Sequence, residues 1–357
     1  MSGELPFNLV PNLSVRVERS RDTHTARPTS RCLDYARHER NRGVCAVTLT
    51  VFIDGAVGTT GLEIADRIVG RAEFSLITLD EDRRKDAGAR REALNDADFV
   101  ILCLPDDAAK EAVAMTKSSH TRIIDASTAY RIDPNWAYGF PEYRQGQRER
   151  IAGADRVSNP GCYPSGFLAL IAPLVAAGLI PADWPYSVNA VSGYSGGGKA
   201  LIQRFEGDGA DIGYRSYGLD LAHKHVPEMQ VHATLVHAPI FAPAVVHAFR
   251  GMVVEVPLPL SAMTGTVSPD ALRAALAAHY DGSPVVTVHH EPAPSELLMH
   301  ANQAPSDRLD LYVLSSPDGS QVRLLALLDN LGKGASGAAV QNLNIMAGLD
   351  ETRGLRL

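Results

Sequence analysis

A cysteine at a predicted helix start is the side chain best suited to covalent chemistry in this sequence. Cys162 lies in residues 158–166 (SNPGCYPSG), where a proline-glycine turn leads into an apolar segment. A helix dipole and free backbone N–H groups would stabilise the thiolate and lower the pKa of Cys162 towards neutrality. We therefore predict a nucleophile at Cys162; the alternative is a buried, unreactive cysteine, which is the interpretation we give Cys103.

Two histidines and an acid further along the chain can supply the proton transfer that a nucleophile needs. They are His223, His225 and Glu228. An imidazole titrates near neutrality and a carboxylate can orient it, so we predict His223 or His225 as the acid–base group, with the choice open, and Glu228 as its support. The spacing also permits a metal site, but no third donor cluster accompanies it, and we predict no metal.

Two loops carry residues suited to binding an anionic substrate. Arg131 follows an apolar segment that ends at Asp125, and Ser192, Gly193 and Lys199 belong to a glycine-rich run. A guanidinium grips phosphate or carboxylate with a planar fork, and glycine-rich backbone exposes N–H groups to oxyanions. We predict that these four residues contact the substrate, although each stretch is equally compatible with an ordinary loop.

A glycine-rich turn follows the first apolar run and precedes a helical pattern. Such a turn approaches a pyrophosphate closely, and the helix start attracts its charge. The spacing is G-x-x-G-x-x-G, which is not the usual dinucleotide form, but its strand-turn-helix setting favours cofactor binding over a turn that only packs a helix. The predicted cofactor contacts in this turn are Gly55, Val57, Gly58, Thr59, Thr60 and Gly61.

The second strand gives conflicting evidence about the dinucleotide. Asp80 at its end would hold the ribose hydroxyls of NAD, whereas the cations Arg83, Arg84 and Lys85 would pair with the 2′-phosphate of NADP. We favour NADP(H), with Arg83 and Arg84 as contacts, because three cations outnumber one acid and can surround a 2′-phosphate. The alternative is that these charges form only a solvated run on the surface. Leu104 and Pro105, after the third apolar run, are predicted to border the same crevice.

The elements that must position these residues fall into two patterns. From residue 47 short apolar runs alternate with helical segments, which is typical of βαβ units and a parallel, Rossmann-type sheet. After residue 160 a helix over 163–177 precedes several long apolar strands with few helices between them, which predicts an α+β domain with a mixed sheet. The sequence therefore predicts an α/β protein with two domains.

Composition narrows the classes of function. The net charge of −7 and the absence of any long apolar run argue against nucleic acid and membrane partners, and a cytoplasmic location follows by default. The four cysteines have no paired spacing that would suggest disulfides. Residues 1–46 are arginine-rich and lack periodicity, so we predict a flexible extension, with a targeting peptide or a mis-assigned start near residue 47 as alternatives.

Six motifs, in order, resemble those of the N-acetyl-gamma-glutamyl-phosphate reductase family in its shorter subtype. They span residues 51–349 and comprise 52–55 (FIDG), 103–107 (CLPDD), 125–131 (DASTAYR), 158–164 (SNPGCYP), 223–228 (HKHVPE) and 329–335 (DNLGKGA). Lys224 stands where this family commonly has arginine, which keeps the charge but loses the fork.

The resemblance implies a division of the chain and further site residues. It implies an NADP-binding domain over 47–160, a catalytic and oligomerisation domain over 161–328 and a segment over 329–357 that returns to the cofactor domain. It aligns Cys162 with the nucleophile, adds Ser127, Ser165, Gly166 and Asn330 as cofactor contacts, and implies a homodimer or homotetramer.

The activity implied is NADPH-dependent reduction of N-acetyl-L-glutamyl 5-phosphate to the 5-semialdehyde through a Cys162 thioester, with release of inorganic phosphate, in arginine biosynthesis. The first alternative is a related semialdehyde dehydrogenase that acts on aspartyl phosphate or an N-acylated aminoadipyl phosphate. Two further alternatives belong to other classes of protein. A dinucleotide-binding sensor without catalysis would need no activated thiol, and a cysteine hydrolase would leave the glycine loop unexplained.

Overall fold

The computed structural model describes residues 48–263, 267–290 and 294–357. The predicted extension over 1–46 lies outside the described residues. No helix within the described ranges has the length and apolar character needed to cross a membrane.

The first part of the chain builds a six-stranded parallel sheet with helices between its strands, as predicted. The strand order is β2-β1-β3-β4-β6-β5, and every pairing is parallel. The bounds are β1 Leu49–Asp54, α1 Thr59–Ile68, β2 Phe74–Ile77, α2 Ala87–Asp96, β3 Phe99–Leu102, α3 Asp106–Met115, β4 Arg122–Asp125, β5 Ala137–Tyr138, α4 Gln147–Gly153 and β6 Arg156–Ser158. The strands β1 and β3 are apolar and buried over most of their length because helices cover both faces.

The carboxyl ends of four neighbouring strands lie side by side. Asp54 of β1 is paired with Leu102 of β3, Leu102 with Asp125 of β4, and Asp125 with Ser158 of β6. Adjacent strands are about 4.8 Å apart, so the loops after β1 and β6 leave the sheet roughly 14 Å from each other. The glycine turn and the cysteine turn therefore emerge on one edge of the sheet, which is where ligands bind in such folds.

The second part of the chain builds a seven-stranded mixed sheet, also as predicted. Its strand order is β11-β12-β13-β10-β7-β9-β8. The bounds are α5 Cys162–Ala176, β7 Ser187–Gly193, α6 Gly198–Glu206, β8 Tyr214–Ser216, α7 Val226–His232, β9 Ile240–Val246, β10 Met252–Leu258, α8 Pro269–His279, β11 Val286–Val288, β12 Leu309–Ser315, β13 Val322–Leu328 and α9 Gly337–Met346, with a π-helical turn over Gly332–Ser336.

Helix α5 joins the sheet edge where the cysteine turn emerges to the core of the second sheet. It is buried on almost every side and packs against β10 and β13. Pro173 lies inside the helix and has no N–H to donate to the carbonyl of Ala169. The hydroxyl of Tyr280 donates to that carbonyl at 2.8 Å. The helix consequently stays continuous, and its first residue, Cys162, is fixed to a rigid core.

The last helix returns to the first sheet. Ala339, Val340 and Leu343 of α9 belong to the same apolar cluster as Val51 and Ile101 of β1 and β3. The domain boundaries at residues 160 and 328 remain predictions, because the packing of α9 on the first sheet does not define the residue at which a domain ends.

Candidate active site

Cys162 is the first residue of α5 and directly follows the N-cap Gly161. The side chain keeps partial exposure, yet protein atoms surround the sulfur closely enough that burial raises the pKa of the Cys162 thiol to about 11. Arg131 and the backbone N–H groups of Tyr163 and Cys162 lower this pKa but do not outweigh burial. The predicted shift towards neutrality is therefore corrected: the helix start helps the thiolate, and desolvation opposes it more strongly.

Three functional groups converge on the backbone of Gly161. A Cβ atom placed on this glycine would lie 2.6 Å from Nη1 of Arg131, 2.8 Å from Nε2 of His225 and 2.9 Å from Oε2 of Glu228. No larger residue fits there without displacing these groups. The glycine thus allows a cation, an imidazole and a carboxylate to approach the residue before the reactive cysteine.

Glu228 holds this arrangement together. Its carboxylate is 1% exposed and accepts hydrogen bonds from the Gly161 N–H at 2.8 Å, the Tyr138 hydroxyl at 2.7 Å and Arg131 Nη1 at 3.2 Å. Its donors are therefore the cysteine turn, a tyrosine and an arginine rather than either histidine. The structure places Glu228 as a support for the turn before Cys162, which differs from the predicted support of an imidazole.

The two histidines lie beside one another, with His225 on the side of Gly161. Their ring centroids are 4.7 Å apart, and the His225 backbone N–H donates to Nδ1 of His223 at 3.1 Å. His225 is buried, and burial together with Arg131, His223 and Lys224 holds its pKa well below the ordinary value. Its Nδ1 atom has no hydrogen-bond partner within the described ranges. A neutral imidazole at this position can accept a proton.

Arg131 is buried, and each of its nitrogens is used by the protein. Nε donates to the Asn159 carbonyl at 3.0 Å, Nη2 to the Ala126 carbonyl at 3.0 Å and Nη1 to Glu228. The guanidinium therefore connects the loop after β4 with the turn before Cys162. Each terminal nitrogen has a second N–H group, and these are the donors left for the predicted substrate contact.

The glycine turn after β1 is packed too closely for larger residues. Gly55 has a φ of +90°, and an added Cβ would collide with the Cys103 carbonyl oxygen; at Gly61 it would lie 2.5 Å from the Gly55 oxygen. Helix α1 begins at Thr59, and its N-cap residue is Gly58, which has no side chain to accept hydrogen bonds from the first N–H groups of the helix. The first N–H groups of α1, near Thr59 and Thr60, thus suit a phosphate. Val57 is exposed beside them.

The other predicted cofactor contacts differ in how far they border the crevice. Leu104 and Pro105 are accessible where β3 ends, and the hydroxyl of Ser127, after β4, donates to Asp125 at 2.7 Å. Arg83 and Arg84 lie on the surface, 3.5 Å from Glu92 and 2.8 Å from Glu81 respectively. Because these surface pairs are weak, both guanidinium groups can turn to a 2′-phosphate.

Three residues given cofactor roles by the resemblance point inwards. The Ser165 hydroxyl donates to the Gly161 carbonyl at 2.9 Å, and a Cβ on Gly166 would lie 2.7 Å from Val254. The amide of Asn330 donates to Ser195 at 3.0 Å, and its oxygen accepts from the Gly251 N–H at 3.0 Å. These contacts support the site from within, and a role of the three residues in cofactor binding stays a prediction.

The glycine-rich run after β7 is likewise largely closed. The hydroxyl of Ser192 is buried, and the N–H of Gly193 donates to the Gly251 carbonyl at 2.8 Å. Lys199 is exposed in the first turn of α6. Of the substrate contacts predicted in this run, the structure leaves Lys199 accessible and buries Ser192 and Gly193. No group of three or more potential metal ligands occurs in the described ranges.

Sequence reasoning missed several polar residues that shape the cysteine turn. Tyr138 bonds Glu228, and the Asn159 amide donates to the Ala335 carbonyl at 2.9 Å and accepts from Asn342 at 3.1 Å. The sequence signal for Asn159 was its place in the motif over 158–164 (SNPGCYP). Tyr138 and Asn342 had none, since only the tertiary fold brings them to the site.

The fold and the matched family models define the class of enzyme. The model described as semialdehyde dehydrogenase, NAD binding domain, matches residues 80–154, and the one described as semialdehyde dehydrogenase, dimerisation domain, matches residues 162–330. Aspartate semialdehyde dehydrogenase II from Vibrio cholerae has a similar fold, with a TM-score of 0.62, 15% identity and coverage of 85% of this chain and 99% of that one. The protein is an oxidoreductase of the semialdehyde dehydrogenase class.

Curated relatives define the family more narrowly. N-acetyl-gamma-glutamyl-phosphate reductase from Rhizobium etli is 50% identical over 83% of this chain and 98% of its own length. A protein named N-acetyl-gamma-glutamyl-phosphate reductase 2 from Pseudomonas putida is 50% identical over 86% and 99%, and the reductase from Trichormus variabilis is 48% identical over 85% and 98%. The chain belongs to the N-acetyl-gamma-glutamyl-phosphate reductase family, which confirms the predicted resemblance.

Proposed function

We propose that this chain reduces N-acetyl-L-glutamyl 5-phosphate to N-acetyl-L-glutamate 5-semialdehyde with NADPH, as a step of arginine biosynthesis. The observation that carries the proposal is the position of Cys162, which begins α5 on the same sheet edge as the glycine turn after β1. The names of its relatives supply the substrate. A sulfur nucleophile beside a dinucleotide crevice suits reduction of an activated carboxyl group.

In the first half-reaction, Cys162 attacks the acyl carbon of the bound acyl phosphate. The thiol proton passes to neutral His225, whose Nε2 faces Gly161. A bond forms between sulfur and carbon, and the bond from carbon to the phosphate oxygen breaks with its electron pair. The first N–H groups of α5 stabilise the oxyanion that forms meanwhile. Inorganic phosphate leaves, and a thioester remains on Cys162.

The second half-reaction returns the thiol to its starting state. Gly55 to Gly61 would hold the pyrophosphate of NADPH, with Arg83 and Arg84 available to its 2′-phosphate, and the bound dinucleotide would supply the hydride that reduces the thioester carbon. Cys162 then leaves as the thiolate while the aldehyde carbonyl forms, and His225 gives back the proton that it took. Because phosphate takes its proton from solvent, the cycle uses one hydride and one proton.

The predictions on organisation belong to the same proposal. The matched dimerisation domain supports self-association, and we extend this to a homodimer or homotetramer. We also keep the cytoplasmic location and the division into a cofactor domain over 47–160, a catalytic domain over 161–328 and a returning segment over 329–357.

The proposal is tested by the reverse reaction, the phosphate-dependent reduction of NADP⁺ by N-acetyl-L-glutamate 5-semialdehyde. The same assay with aspartate semialdehyde and with NAD⁺ examines the alternatives of substrate and cofactor. We expect Cys162→Ser to abolish turnover and Cys103→Ala, a matched change at a thiol buried beside Gly55, to retain it. Faster turnover of aspartate semialdehyde, or hydrolytic activity without nicotinamide, would refute the proposal.

The same assay decides between the two histidines. His225→Asn is expected to lower kcat by roughly 10²- to 10⁴-fold, the usual contribution of a general acid–base group. His223→Asn is expected to lower it much less, because His223 acts by accepting the backbone N–H of His225. A larger loss in the His223 variant would reverse the assignment.

A further inference from the structure

A buried ion pair lies behind the active site, outside the residues used by the proposed mechanism. Nζ of Lys333 donates to Glu142 at 2.9 Å and to the Gln341 amide oxygen at 2.7 Å, and it stands 5.0 Å from the centre of the Phe140 ring. Both charged side chains are 2% exposed. Burial would raise the pKa of Glu142, but Lys333 and Gln341 hold it below its ordinary value.

Such a pair is poorly explained by stability alone. Removing two charges from water costs several kcal/mol per ion, and an apolar pair of similar volume is often as stable. Gln341 in addition bonds both Glu142, at 2.5 Å, and Glu351, at 3.0 Å. All the members are therefore satisfied, and the cluster specifies one arrangement of the backbone that carries it.

The backbone in question is the π-helical turn Gly332–Ser336, of which Lys333 is the second residue. This turn lies directly against the nucleophile: a Cβ on Gly334 would be 2.7 Å from Cβ of Cys162 and 3.3 Å from its Cα. The next residue, Ala335, accepts a hydrogen bond from Asn159 in the cysteine turn. A movement of the π-helical turn would thus change what surrounds the Cys162 side chain.

The two ends of the turn are closely packed as well. A Cβ on Gly332 would collide with the Ser306 carbonyl, and one on Gly337 with the Asp307 carboxylate. Asp307 is itself bound by Arg67 at 3.1 Å. Close contacts therefore limit the turn at both ends, and the pair of Lys333 and Glu142 anchors it in between.

We propose that Lys333 and Glu142 are positioning residues that hold the π-helical turn against Cys162 and so fix the direction of its sulfur towards the acyl carbon. Neither residue touches the substrate. This inference rests on the proposed function for its effect on turnover, whereas its effect on the thiol does not depend on the substrate.

The test uses Glu142→Gln, which keeps the shape, and Lys333→Met/Glu142→Leu, which replaces both charges with apolar groups. Arg353→Met is the control, because it removes one cation from a partly exposed ion pair with Glu73, which directly precedes β2 at the edge of the first sheet opposite the cysteine turn. Each protein is assayed for kcat and KM in the reverse reaction, for thermal unfolding, and for iodoacetamide alkylation of the peptide that contains Cys162.

We expect the two ion-pair variants to fold and to lose about tenfold to a hundredfold in kcat, since a small misplacement of a reacting atom has effects of this size. KM for NADP⁺ should change little. Alkylation of Cys162 should become faster, because a withdrawn turn uncovers the sulfur. Opposite changes in turnover and alkylation are the signature of positioning, and Arg353→Met should match the wild type in both.

Folded variants with wild-type kcat and alkylation rate would overturn the inference. A fall in kcat without a change in alkylation would also overturn it, as would failure of both variants to fold, which would make the pair a folding element only. If the wild-type protein has no reductase activity, the proposed function fails, and the alkylation rates still test the positioning of the sulfur.

Discussion

The carboxylate of Glu228 accepts a hydrogen bond of 2.8 Å from the backbone N–H of Gly161, so a residue of α7 holds the turn that ends in the reactive cysteine. The same carboxylate neutralises Arg131. One buried acid thereby links the segment before α7, which carries the histidines, to the turn between β6 and α5, which leads into the nucleophile.

Replacing Glu228 by glutamine should leave the shape of the site and remove its charge. Arg131 would then be buried without a counter-ion, and breaking such a pair destabilises by about 3 to 5 kcal/mol. We expect a lower melting temperature and a fall in kcat of at least about tenfold, because the Gly161 turn loses its strong acceptor. Glu149→Gln, at an exposed glutamate of α4, should change neither. Equal melting temperatures for both variants would contradict this role.

Replacing Gly161 by alanine should disable the enzyme through sterics. The added methyl group would lie within 2.9 Å of Arg131, His225 and Glu228, and Arg131 and Glu228 are fixed by their ion pair. Overpacking of this kind destabilises by about 1 to 3 kcal/mol, and we expect turnover below detection. Gly153→Ala is the matched control, since nothing lies within 4 Å of its added Cβ. Wild-type kcat in the Gly161 variant would disprove the convergence described at this residue.

The alkylation rate of Cys162 in the free enzyme should rise with pH far above neutrality. Burial raises the pKa of this thiol to about 11, so the reactive thiolate fraction should grow about tenfold per pH unit between pH 7 and 10. Peptide-resolved iodoacetamide labelling measures the profile, with Cys103, whose pKa burial raises to about 12, as the internal comparison. An alkylation rate that stops rising below pH 8 would contradict this expectation and support the pKa near neutrality that the helix start predicts for Cys162.

Acid should destabilise the fold through His225. This imidazole has a pKa well below its ordinary value when folded, so below about pH 6.5 the unfolded chain binds a proton that the folded chain does not. Stability is therefore lost as the pH falls through that value, by about 1.4 kcal/mol per pH unit for this group. Urea unfolding of His225→Asn between pH 7 and 5 should show a shallower loss than the wild type. His237→Asn, at an exposed histidine, should retain the full slope.

The sequence predicted the fold class and most strands because periodicity and burial agree in them. The helix predicted over 163–177 is Cys162–Ala176, and the long apolar strands predicted after it include β13. β9 was missed because Pro243 interrupts an apolar run, and β5 because two residues carry too little pattern. Short elements that depend on tertiary pairing leave almost no signal in the sequence.

The candidate site was predictable where a residue type alone suggests chemistry, as for Cys162 and His225. The electrostatics were not, because the pKa of Cys162 depends on how completely the second sheet and the π-helical turn enclose it. Glu228 shows the same limit: its motif suggested a partner for histidine, and its hydrogen bonds go to Gly161, Tyr138 and Arg131. Which neighbour a buried carboxylate meets is decided by packing.

The proposed reaction has two requirements: the dinucleotide must lie near the sulfur, and the substrate must be recognised. Backbone pairing of Asp54, Leu102, Asp125 and Ser158 across four strands concerns only the first of them. In the proposed function, the backbone ladder would set the span between dinucleotide and sulfur, and residues of the second part of the chain would meet the rest of the substrate. Exposed residues such as Lys199 could then be changed to accept acyl groups of other lengths while the span for hydride transfer is retained. The scaffold offers a starting point for engineered reduction of unnatural acyl phosphates.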